Sequence, residues 1–213
     1  MVERENMNLI LLGGGLDSIT LMVKLRKDFP QSPLTALHVD YGQKAIDGER
    51  VACRYFCKKY SVELFEGSMD LSLFSGAAIL QHTPMGSTRK SNCLEMRNVA
   101  LVSYASVLVA SYDGVGGLIY LGFHKELDNT FMDATTDWLD PMSKALHLAS
   151  MVTVGIRTPF DNMTREDIIL VAKETDSEIL TKSYTCYEAP DEQGRECGKC
   201  IHCIKKKQML EGL

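Results

Sequence analysis

The sequence predicts an α/β fold: an open, mostly parallel sheet with helices on both faces, followed by a small C-terminal segment built around four cysteines. Three observations carry this. Short apolar runs alternate with helix-spaced segments through most of the 213 residues, the pattern of βα units joined into a parallel sheet. No internal repeat or low-complexity tract interrupts that rhythm. From about Tyr184 onward the rhythm stops, and four of the seven cysteines cluster there. Residues 1–183 are therefore read as one α/β unit and residues 184–213 as a metal-binding segment packed on it.

Each element follows from its pattern. Residues 9–12, all apolar, read as a buried strand that ends at Gly13-Gly14-Gly15. Residues 19–29 have helical spacing, with Leu21, Met22 and Leu25 on one side. Residues 34–39 form the second strand, 49–60 the second helix and 62–65 the third strand. The polar, Gly- and Pro-containing stretch 68–91 is the loop or lid candidate. Residues 99–110 read as a buried helix, 118–121 as a strand, 136–150 as a helix and 152–156 as the last strand. Thr164-Arg165-Glu166-Asp167 resembles a capping box that opens a helix over 168–174.

Composition narrows the function. With 45% hydrophobic and 24% charged residues the chain suits an ordinary globular domain. The net charge of −5 disfavours tracking along a nucleic-acid backbone, which needs a basic face. No run of about 18 to 20 apolar residues would cross a bilayer, and no secretory signal is expected from the charged residues 1–8. The expected location is the cytoplasm, where seven cysteines read as thiols or metal ligands rather than as disulfides.

The first chemical signal is Gly13-Gly14-Gly15-Leu16-Asp17-Ser18 between the first strand and the first helix. Glycines let the backbone turn sharply and bring its N–H groups close to a ligand. The helix start adds unpaired donors and a positive dipole end, and Ser18 adds a hydroxyl. The result is an anion cradle. It is not a Walker A loop, since no Gly-Lys-Ser/Thr follows, and the dinucleotide spacing Gly-x-Gly-x-x-Gly fails. A glycine-rich turn with Asp17 or Ser18 as helix cap is the plain alternative.

The second signal is Cys186, Cys197, Cys200 and Cys203, spaced C-x10-C-x2-C-x2-C. Four thiolates suit a closed tetrahedral Zn²⁺ site, structural because no position is left open. An iron–sulfur cluster is the rival occupant. His202 lies inside the cluster but is not needed as a ligand. Cys53 and Cys57 read as core or surface thiols, and Cys93 stands beside the loop region.

The glycine loop resembles the Ser-Gly-Gly-x-Asp-Ser signature of PP-loop ATP pyrophosphatases, with Gly13 in place of the first Ser. Loop and cysteine tail together resemble the 7-cyano-7-deazaguanine synthase (QueC) family over most of the chain. Asp40-Tyr41-Gly42-Gln43 with Glu49, Asp70-Leu71, Met96-Arg97-Asn98, Thr158-Pro159-Phe160 and Thr185-Cys186-Tyr187 are similar to further blocks of that family. The resemblance implies a fold like that of the adenine nucleotide alpha hydrolases. It also implies ATP-dependent activation of 7-carboxy-7-deazaguanine as an acyl-adenylate, then reaction with ammonia to give amide and finally nitrile. Mg²⁺ on the phosphates and a homodimer are implied as well.

Residue roles follow from the resemblance. Gly13, Gly14, Gly15, Leu16, Asp17 and Ser18 would hold phosphate, Asp17 either assisting Mg²⁺ or only capping the helix. Arg97 would meet an adenylate or substrate anion, with Asn98 and Gln43 bonding nearby. Arg165, where the family has Lys, would pair a phosphate. Gly122, Asp128 and Asp133 follow the fourth strand, where open α/β sheets bind ligands, and would face the guanine-like amidine edge. The family's Tyr-Pro-Asp-Cys run reads Phe131-Met132-Asp133-Ala134 here. Three rivals stay open: a QueC-like ligase that stops at an amide with another amine, a PP-loop tRNA-modifying enzyme with Cys93 as its sulfur carrier, and a zinc-ribbon binding module using Lys205-Lys206-Lys207.

Overall fold

A computed structural model describes residues 6–71, 79–80, 94–112, 116–125 and 132–211. Five strands, β1 (Met7–Leu11), β2 (Thr35–Asp40), β3 (Glu63–Ser68), β4 (Gly117–Tyr120) and β5 (Val154–Arg157), form one parallel sheet in the order β3-β2-β1-β4-β5. The period-2 alternation of a strand sends its side chains to opposite faces. Ile10, Leu12 and Ala36 join one core layer with Phe56 and Ile168. Met7, Leu9, Leu37 and Val39 join the opposite layer with Val102 and Val109. Both faces are apolar, so both must be covered, and the parallel sheet follows.

The helices that cover them are α1 (Leu16–Asp28), α2 (Ile46–Lys59), α5 (Arg165–Asp176) and α6 (Glu178–Lys182) on the first face, and α3 (Arg97–Ser111) and α4 (Leu139–Ala149) on the second. Helix α7 (Ile201–Glu211) closes the cysteine segment. Fully burying one large side chain such as Phe56 contributes about 1.5–3 kcal/mol, so the two layers hold the sheet. The fold class matches the sequence expectation. The loop region at 72–78 and 81–93, along with Cys93 and Asp128, lies outside the described residues.

Boundaries differ in instructive ways. Helix α1 begins at Leu16, with Gly15 in the N-cap position and no side-chain cap. Asp17 and Ser18 are therefore first-turn residues, and the reading of either as the cap is corrected. Helix α2 begins at Ile46, with Asp47 and Glu49 in its first turn, where acidic groups favour the helix dipole. The capping box at Thr164 forms: its hydroxyl accepts from Asp167 N while Asp167 Oδ2 accepts from Thr164 N. Helices α6 and α7 were missed. Helix α7 buries Cys203 and the stem of Lys206 while Ile201 and Ile204 face outward, so no apolar stripe announces it.

Strand order reverses between β1 and β4. Ligands of open α/β sheets bind outside the carboxyl ends of the strands at such a switch point. The glycine loop leaves β1 there, and Gly122 follows β4 there.

Candidate active site

The end of β1 runs into the loop. Gly13 N–H donates to Ser18 Oγ at 3.2 Å, and the Ser18 hydroxyl lies 3.3 Å from the Gly15 carbonyl. Gly14 takes φ +73°, a left-handed conformation that disfavours any side chain. A Cβ there would lie 2.7 Å from the Cα and carbonyl oxygen of Glu49. Gly14 thus serves the loop by letting it seat on α2, a different reason from close approach to a ligand. At Gly13 an added Cβ would meet nothing within 4 Å. Gly122 closes the other side: its Cβ would stand 3.1 Å from Ser18 Cα and N.

These elements enclose a cavity of 310 Å³. Gly13, Gly15, Leu16, Asp17, Ser18, Gln43, Arg97, Asn98, Gly122 and Arg165 all line it. Asp17 Oδ2 sits 3.2 Å from an Arg165 guanidinium nitrogen and 3.7 Å from His124 Nε2, and that guanidinium nitrogen is 2.9 Å from His124 Nε2. Asp17 Oδ1 is buried and has no hydrogen-bond partner among the described residues. A buried carboxylate oxygen left unpaired is costly unless something else, a cation or a donor, completes it.

On the far wall, Arg97 donates to the Tyr41 hydroxyl at 3.3 Å and stands 5.8 Å from that ring's centre. Burial raises the Tyr41 hydroxyl to about 12, although Arg97 pulls it down. The Gln43 amide donates to Val39 O at 3.1 Å and to Glu49 Oε2 at 2.8 Å, and its oxygen accepts from Tyr41 N. These bonds hold Gln43 as a brace beneath the cavity. Burial pushes the Glu49 carboxyl up to about 7, against the opposing pull of the Gln43 bond and the Arg97 charge. Asn98 N and its side-chain amide donate to Asp133 Oδ2 and O at 3.1 and 2.9 Å. The Asp133 carboxylate thus takes a backbone donor at the start of α3 and does not line the cavity among the described residues.

The cysteine segment forms the remaining wall. Tyr184 N donates to Gly14 O at 2.9 Å, tying the segment to the loop. Glu196 Oε1 accepts from Thr185 N and Cys186 N at 2.6 and 3.2 Å, and Oε2 meets the buried Lys206 at 3.1 Å. The ligand atoms of Cys186, Cys197, Cys200 and Cys203 all lie within 4.8 Å of one another. Individual sulfur pairs stand 3.4 to 3.9 Å apart. A tetrahedral Zn²⁺ with Zn–S near 2.3 Å sets sulfurs about 3.8 Å apart, so the donor set fits. Backbone N–H groups of Cys197, Cys200 and Cys203 point at neighbouring sulfurs at 3.4–3.5 Å, the outer bonds that favour thiolate.

The family model described as "Queuosine biosynthesis protein QueC" matches residues 7–213. The chain belongs to the QueC family. Among its relatives, the 7-cyano-7-deazaguanine synthase of Methanocaldococcus jannaschii is 28% identical over 93% of this chain and 91% of its own length. The enzyme of the same name from Desulfotalea psychrophila is 27% identical over 97% and 95%. Of solved structures, a predicted tRNA methyltransferase subunit from M. jannaschii has TM-score 0.52 at 14% identity, over 80% of this chain and 75% of that one. The U34-tRNA thiolase NcsA from Methanococcus maripaludis has TM-score 0.50 at 16% identity, over all of this chain and 66% of that one. These two likenesses concern the fold alone. No helix among the described residues is long and apolar enough to cross a membrane.

Sequence reasoning gave no site role to His124, Tyr184, Tyr187 or His202, all near or in the cavity wall. His124 carried one readable signal, its place two residues past Gly122 at the end of a strand. The other three lie within two residues of the clustered cysteines, where spacing drew attention to sulfur alone.

Proposed function

We propose that this QueC-family chain uses ATP to activate 7-carboxy-7-deazaguanine and, with ammonia, converts it to 7-cyano-7-deazaguanine. The observation that carries this reading is the shared cavity: the glycine loop, the orphaned Asp17 oxygen and two arginines, Arg97 and Arg165, open onto one space. The family membership and the names of the relatives support the same reaction.

In this reading the acid's carboxylate attacks the α-phosphate of ATP and pyrophosphate leaves. No base is required, because a carboxylate is already a nucleophile. The N–H groups of the loop and the Arg165 guanidinium hold the departing charge. Asp17, with one oxygen on Arg165 and one left over, would hold Mg²⁺, which supplies charge neutralisation on the phosphates. Arg97 holds the acid's carboxylate or the adenylate. Ammonia then attacks the acyl carbon, AMP leaves with its oxygen, and loss of a proton gives the amide. A second ATP activates the amide oxygen; AMP leaves again, the nitrogen loses its two protons, and the nitrile forms. Zn²⁺ in the four-cysteine site would hold the segment that carries Tyr184 against the loop, and a homodimer is part of the same proposal.

The test is product analysis by mass spectrometry after incubation with the acid, ATP, Mg²⁺ and ammonium. A nitrile with two AMP per turnover is expected. An amide alone supports the ligase alternative, to which the altered run Phe131-Met132-Asp133-Ala134 and the loss of the loop's first Ser point. No AMP overturns both.

A further inference from the structure

The cysteine segment does more than close a fold. Tyr187 and His202 stack on each other with ring centres 3.9 Å apart and planes tilted by 36°. Both rings line the cavity that the glycine loop opens onto. Among the described residues this is the aromatic pair with both members in that wall. Each ring is also one residue from a metal-ligand cysteine: Tyr187 follows Cys186 and His202 precedes Cys203. Their positions are therefore set by the sulfur cluster, and the segment is pinned to the loop through Tyr184 N and Gly14 O at 2.9 Å.

We infer that Tyr187 and His202 are the stacking surface for a planar fused nitrogen heterocycle, a binding platform supplied by the metal-binding segment. Flat bases stack on aromatic faces without regard to sequence or hydrogen-bond pattern, and the contact is lost when the ring is removed. A pair of stacked rings offers a stiffer platform than either alone, because each limits the other's rotation. A metal site beside the platform fixes its distance from the phosphate loop. Two ligands carry such a ring system, the adenine of ATP and the deazapurine acid. This rests on the function proposed above, which names both.

The experiment is calorimetric titration of the zinc-loaded protein with a non-hydrolysable ATP analogue plus Mg²⁺, and separately with 7-carboxy-7-deazaguanine. Tyr187→Leu and His202→Leu remove the ring at similar volume; Tyr187→Phe and His202→Phe keep one. Metal content and melting temperature establish that each variant is folded. The leucine variants should weaken one of the two ligands by about tenfold or more, while the phenylalanine variants stay within about threefold of wild type. Loss confined to the acid assigns the platform to the deazapurine; loss confined to the ATP analogue assigns it to adenine. Leucine variants that keep the metal and bind both ligands as tightly as the phenylalanine variants overturn the inference and leave the proposed function standing. A wild type that binds neither ligand removes both.

Discussion

Replacing Gly13 with serine adds back the hydroxyl that the PP-loop signature carries at this position. The structure allows the change: a Cβ at Gly13 meets nothing within 4 Å, and its φ lies outside the left-handed region that strains a side chain. Gly13 N–H is already held by Ser18 Oγ at 3.2 Å, so the loop's backbone need not move. A hydrogen bond to a charged group is worth about 1.5–3 kcal/mol. Ordering the new rotamer and displacing water take back about 1 kcal/mol. The net gain of about 0.5–2 kcal/mol corresponds to roughly 2- to 30-fold tighter binding. Gly13→Ala supplies the control, because it shares the added Cβ and the narrowed unfolded ensemble but lacks the hydroxyl. Titration of all three forms with a non-hydrolysable ATP analogue and Mg²⁺ should rank serine tighter than alanine, and alanine close to wild type. Serine and alanine variants with equal affinity would refute a phosphate within reach of the residue-13 side chain, and binding by none of the three forms would refute the loop as the ATP site.

Three further outcomes follow from distances and charges already described. Gly14→Ala should lower the melting temperature by several degrees, since left-handed φ alone costs about 1–2 kcal/mol and its Cβ would strike the Glu49 backbone at 2.7 Å; an unchanged melting curve would contradict the seating of the loop on α2. Cys200→Ser should lose the metal and lower stability more than it lowers turnover per folded molecule; metal analysis giving about one zinc per wild-type chain checks the occupant, and iron with acid-labile sulfide would replace zinc by a cluster. Glu49→Gln tests the buried carboxyl. Its folded value near 7 lies above the ordinary 4.5, so the contribution of Glu49 is fully present below about pH 4.5 and up to roughly 3 kcal/mol of it is lost as pH rises through 7. The glutamine variant lacks this penalty, so its stability relative to wild type should increase from pH 5 to pH 8 in denaturant titrations; a constant difference would show that Glu49 is ionised without penalty.

Much of the fold was legible because its signals are local. The strand run at 9–12 and the box at Thr164 and Asp167 depend on residues a few positions apart; the structure forms the box as the pattern has it and sets the strand at Met7–Leu11, beginning two residues earlier and ending before Leu12. The glycine loop and the four cysteines were legible for the same reason. Helix α7 was not, because its inward residues are Cys203 and Lys206 and its apolar residues face out. The partners within the site were not legible either. The contacts of Asp17 with His124 and Arg165, and of Arg97 with Tyr41, join residues dozens to more than a hundred positions apart, and no spacing rule reports them. Asn98 and Asp133 were both expected to bind substrate, yet neither pattern indicated that they would bond to each other.

The arrangement of the cysteine segment has a consequence for how metal and loop depend on each other. Gly48 on α2 lies so close to Tyr184 that a Cβ there would stand 2.4 Å from its ring. The same residue's backbone holds Gly14 O, and its hydroxyl donates to Glu188 O at 2.8 Å. Gly14 in turn rests on Glu49, one residue from Gly48. The loop is thus clamped between α2 below and Tyr184 above, and Tyr184 is two residues from the first metal ligand. Four thiols gathered within 4.8 Å cannot all ionise without a cation, because like charges at that distance repel strongly. Without metal the thiols stay protonated and the four bonds that would pin the segment are missing, and the Tyr184 N to Gly14 O hydrogen bond is the direct link from that segment to the glycine loop. Metal removal should therefore weaken nucleotide binding at temperatures where the sheet remains folded, because Met7–Leu11 and its neighbouring strands draw their stability from core layers that contain none of the four cysteines.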